Sequence, residues 1–127
     1  MDFSNYLANK LISATVRGVG YTTPPTVYLA LYTTDPTKDD AGDEVDQASY
    51  TRKEVEFTVP ASGVSSNDSK IEWGTATSDW GNVSYIGIRD NASAGNLLYF
   101  TELENPKDIL SGDQFIINVD QLKLTLT

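Results

Sequence analysis

The chain contains no cysteine and no histidine. Without cysteine there is no disulfide framework and no thiolate chemistry. Without histidine the commonest general base and the commonest transition-metal ligand are gone. Positive charge is scarce as well: 9 Lys and Arg stand against 18 Asp and Glu, a net charge of −9. Phosphate binding needs clustered Lys and Arg, so nucleic acid is not expected as a partner. An anionic membrane surface is disfavoured for the same reason. No apolar run approaches the roughly 20 residues of a membrane-spanning helix. The first residues, MDFSNYLANK, lack a basic start and a continuous apolar stretch, so no secretion signal is expected. Glycine-rich phosphate loops are missing too; Gly18 and Gly20 follow a helical pattern and read as its stop.

What is present is the pattern of one compact β-rich domain over residues 1–127. A chain of this size can bury about two-thirds of its unfolded surface, enough for a core without staples. Phe3, Leu7, Leu11 and Ala14 form one helical stripe, which predicts a helix over 3–15 capped by Asp2 or Ser4. Pro24 and Pro25 then start an extended segment. From residue 26 onward the chain reads as strands. These are Val27–Thr33, Tyr50–Val59, Lys70–Trp73, Val83–Arg89, Leu97–Glu102, Phe115–Val119 and Leu122–Leu126, with 60–69 as a Ser/Gly/Asn-rich loop. The connector Asp90–Asn96 holds Asn91 and Gly95, both suited to positive φ, and predicts a hairpin. About seven strands at roughly ten-residue spacing imply an all-β, antiparallel sandwich or barrel with one N-terminal helix. The expected core includes Val27, Leu29, Leu31, Phe57, Ile71, Trp73, Ile86, Ile88, Leu98, Phe100, Phe115, Ile117 and Leu124.

Candidate chemistry is thin. Asp35, Asp39, Asp40, Asp43, Glu44 and Asp46 crowd one loop, the oxygen-rich composition that Ca²⁺ takes. Their spacing does not match an EF-hand, so a solvated, mobile loop without metal is expected. Glu72, Asp79, Glu102 and Glu104 lie near aromatics and could in principle run glycoside hydrolysis. With 18 acids in the chain, such neighbours arise by chance. Serine has no Ser-x-x-Lys base to activate it. Three Asn-x-Ser sequons, at Asn67, Asn82 and Asn91, read as loop chemistry rather than glycosylation sites. Trp73, Trp80, Tyr85 and Tyr99 could stack on sugars, but core or subunit contact is the expected use of such side chains. No catalytic, cofactor-binding or metal-binding residue is therefore assigned.

An ordered set of segments carries a resemblance. It runs from Tyr6-Leu7-Ala8-Asn9-Lys10-Leu11 through Pro24–Tyr32, Thr33-Thr34-Asp35-Pro36, Glu44-Val45 and Ser49-Tyr50-Thr51-Arg52. It continues with Ala76–Gly81, Gly87-Ile88, Gly95–Tyr99 and Gly112-Asp113. Together these resemble a family of small bacteriophage virion proteins, tail-fibre-like or head-decorating. The resemblance implies a non-enzymatic structural protein, made in the host cytoplasm and carried in the virion. It implies a capsid decoration or cement protein first, and a tail or tail-fibre component with a receptor- or glycan-binding surface as the alternative; a glycan hydrolase comes last. The implied partners are the major capsid protein or tail proteins and further copies of the chain, as a homotrimer. Phe3, Leu7, Leu11, Tyr28 and Tyr32 are the expected assembly interface, and the loop Lys38–Asp46 departs from the glycine-rich loops of the family.

Overall fold

The computed structural model describes residues 1–126. Strand β1 (Asp2–Phe3) precedes helix α1 (Asn5–Val16). Ser4 caps the helix in extended conformation, and its Oγ accepts the Leu7 N–H at 3.1 Å. The helix therefore begins two residues later than expected, because Phe3 pairs with Tyr99 as a strand residue. Gly18, at φ +70°, turns the chain away beyond it.

The strands that follow are β2 (Val27–Tyr32), β3 (Lys53–Val55), β4 (Val64–Ser66), β5 (Ile71–Glu72), β6 (Gly81–Arg89), β7 (Leu97–Ile109), β8 (Ile116–Ile117) and β9 (Lys123–Thr125). All pairings are antiparallel. The main sheet has the order β1-β7-β6-β2-β3 and does not close on itself; β4–β9 and β5–β8 are two-stranded ribbons. One face of the main sheet, with Leu29, Leu31, Ile86 and Ile88, packs on Ile71 and Trp73 and on Phe115 and Leu122 in one continuous core. Leu7 seals that core from the helix. The fold is thus an all-β sandwich with one short helix.

Two expectations on strand bounds are corrected. Residues 50–59 do not form one strand: 53–55 pair with β2, and 56–58 turn to pair with 66–68 through the Phe57–Asn67 bridge. That exchange makes β4 out of the expected loop at 60–69, held by Asn67, whose side chain bonds Ser69 O, Asn118 O and Leu122 N. Strand β7 runs seven residues past Glu102, to Ile109. The register to β6 breaks there between Glu102 and Lys107, and Pro106 sits inside the irregularity. Of the expected core, Val27, Phe57, Ile117 and Leu124 lie half-buried at the rim, and the rest is buried.

The opposite face carries a smaller cluster: Ala30, Tyr32, Leu97 and Phe100, flanked by Tyr85. Gly87 makes it possible. A Cβ there would come within 2.7 Å of Leu97 Cδ1 and 2.9 Å of the Tyr32 ring.

Candidate assembly surface

Two buried arginines organise one end of the sandwich. Arg52 reaches Glu44 through Nε and Nη2, at 2.9 and 2.8 Å, and its Nη1 donates to the carbonyls of Asn91 and Ala94. Arg89 holds Asp40 bidentately at 2.7 and 2.8 Å, donates to Tyr32 Oη, and reaches the carbonyls of Ala94 and Gly95. The hairpin loop 90–96 is thus gripped from beneath by both guanidiniums. The countercharge comes from the acidic loop. Fork-like donors suit this double duty of carboxylate and carbonyl recognition.

The acidic loop is exposed along most of its length, as expected of a solvated loop, but it is also tied to the fold at several points. Thr33 and Asp43, Val45 and Leu31, and Asn5 and Lys38 are joined through their backbones, and Pro36 is fully buried. Asp35 Oδ1 accepts the Thr37 N–H, and Asp39 accepts from Asn5. Burial alone would raise the Glu44 carboxyl, but hydrogen bonds from Arg52 and Tyr50 outweigh it and hold it below its ordinary value. Burial, reinforced by the Glu44 carboxylate that accepts its proton, pushes the Tyr50 phenol up. Burial opposes the charge on Arg89, yet Asp40 and Tyr32 raise its pKa above the usual value. Among the described residues no three Asp or Glu side chains are grouped to hold a metal ion.

The expected interface residues separate. Leu7 is 3% exposed and Tyr32 1%, so both belong to the interior of this chain. Tyr32 is buried because its hydroxyl serves Arg89, a use that alternation alone does not reveal. Phe3, Leu11 and Tyr28 are half-buried; Phe3 stacks at a tilt on Tyr99, 5.4 Å away. The aromatic platform does not form either. Trp73 and Trp80 are buried, and their indole N–H groups donate to Thr51 O and Ser49 Oγ. The candidate carboxylates have separate engagements: Glu72 pairs with Lys70, Asp79 accepts the Ser111 N–H, and Glu102 faces Tyr85 Oη at 3.5 Å.

What the helix does expose is its other side. Ile12 is 58% exposed, Val16 76% and Val19, just beyond the helix, 50%. Ile12 and Val16, four apart, form a second apolar stripe on the same helix, which the sequence shows beside the first, and Val19 follows the turn at Gly18. A cleft of about 430 Å³ opens between the far half of β7 and β8, lined by Leu103, Glu104, Lys107, Phe115 and Ile117.

The module is thus tied together by arginine–carboxylate pairs and carries an exposed apolar stripe on its helix. The chain belongs to the podophage GP4 fiber I protein gp80 family, whose model matches residues 2–125. It is a bacteriophage fibre-related structural protein, and its place is the virion. A search of curated proteins returned no match. A fibre family fits the tail-fibre expectation better than the head-cement one, which the match does not confirm.

Proposed function

We propose that the chain is a non-enzymatic subunit of a phage tail fibre that binds other virion proteins. The family match over residues 2–125 carries this reading. The structure supports it through rigidity. Fibres transmit position and force, and a module whose loops are tied by buried ion pairs loses little entropy on docking. The hairpin loop 90–96 is the best example: its exposed Asn91, Ala92 and Ser93 sit on a backbone fixed by Arg52 and Arg89. That end is suited to present a contact surface, to a neighbouring virion protein or to the host. The carboxylates considered for hydrolysis favour no enzymatic reading, since each has its own structural partner or lies apart.

Quantitative mass spectrometry of purified particles tests the placement. A fibre subunit is expected at a small copy number, in the range of the other tail proteins. A copy number in the hundreds, comparable with the major capsid protein, would restore head decoration and sink the fibre reading.

A further inference from the structure

The charge on this module is unevenly placed. From Phe3 to Thr34 there is no Asp or Glu, while Lys10 and Arg17 both lie in that stretch. Arg17, the exposed C-cap residue, directly follows Val16, while Lys10 lies further round the helix with its ammonium over the Tyr6 ring, and neither forms an ion pair among the described residues. The outer side of α1 is thus apolar and cationic on a protein that is otherwise strongly acidic.

A surface of the opposite kind lies on the hairpin that joins the main sheet to the β4–β9 ribbon. Asp68 N–H donates to Glu56 O at 3.0 Å, and the neighbouring bridge is Phe57–Asn67, so Glu56 and Asp68 stand directly opposite each other. Both are exposed and neither is ion-paired among the described residues. Like charges in that register repel, and an incoming cation would relieve them. At the turn of the same hairpin Val59 is 90% and Val64 38% exposed.

We propose that the outer side of α1 in one copy docks on the Glu56–Asp68 hairpin of a second copy. Val16 and Ile12 would meet the exposed valines, and Arg17 would meet the carboxylates. Two different patches are joined, so the contact is heterologous: it closes into a ring if the rotation permits and otherwise runs on as a filament. Pairing α1 with α1 about a two-fold axis would instead bring like cations together, at a cost. Strand addition at β7 is discouraged by Pro106 in the irregular stretch and by Glu102, Glu104 and Lys107 around it. The inference leans on the fibre reading only in expecting copies to meet. It can fail while that reading stands, because copy number in particles does not depend on it.

Sedimentation velocity of the purified chain, up to about 100 μM, tests it. The wild type is expected to self-associate, more weakly in high salt. Val16→Asp changes a side chain 76% exposed, so the melting temperature should hold while the dissociation constant rises about tenfold or more. Arg17→Glu and Glu56→Lys should each weaken association alone, and an equimolar mixture of the two should restore it. A wild-type monomer throughout the series, or a Val16→Asp variant that associates like the wild type, overturns the proposal. So does a mixture that stays as weak as its components.

Discussion

Glu44 shows how much a single side chain can carry here. Its two oxygens satisfy Arg52 and the Tyr50 hydroxyl, and Arg52 has only 8% of its side chain exposed. Glu44→Ala leaves that guanidinium buried without a counterion, at roughly 3 kcal/mol. A loss of this size should lower the melting temperature by roughly 10 °C in a domain of this length. The pH dependence has a definite sign. The folded carboxyl sits below its ordinary 4.5, so its contribution is complete above about that pH and fades as pH falls through the folded value. Thermal melts of the wild type should weaken on acidification below about pH 4.5, and Glu44→Gln should start lower and lose that part of the decline. Gly87 tests packing on the other face. Gly87→Val would press on Leu97 and Tyr32 and should cost about 1–3 kcal/mol by chemical denaturation; an unchanged midpoint would mean that the face is looser than the structure shows.

At the level of elements, the acidic loop and the hairpin loop 90–96 are one mechanical unit. Arg89→Met keeps most of the side-chain length but drops the bonds to Asp40, Ala94 and Gly95. Hydrogen exchange should then quicken in both loops together, with the amides of Val45 and Asn96 reporting each side. Quickening of one loop alone would break the coupling. A chelator should leave the melting temperature unchanged, since Asp40 and Glu44 already bind arginines. These elements also show what could be read in advance. The hairpin Val83–Arg89 with Leu97–Glu102 was legible because alternation and a turn signal at Asn91 and Gly95 agree. The far half of β7 was not, because the register slips at Pro106 and alternation with it. Strand β4 was hidden because Ser65, Ser66 and Asn67 are polar residues buried by side-chain bonding, which no hydropathy pattern marks. The stripe of Phe3, Leu7, Leu11 and Ala14 marks the helix but only its inner side: Leu7 faces inward while Ile12 and Val16 face out. The roles of Arg52 and Arg89 depend on contacts across 39 or more positions, and spacing could not reveal them.

The whole molecule is a stiff sandwich whose strong negative charge keeps it soluble and whose helix offers the exception in sign. Its family makes it a fibre-related virion protein, and the tail is the position proposed for it. Immunogold electron microscopy of intact particles, with antibody raised against the purified chain, tests that claim most directly. Gold is expected only on the fibres at the tail. Gold spread evenly over the head lattice would contradict it.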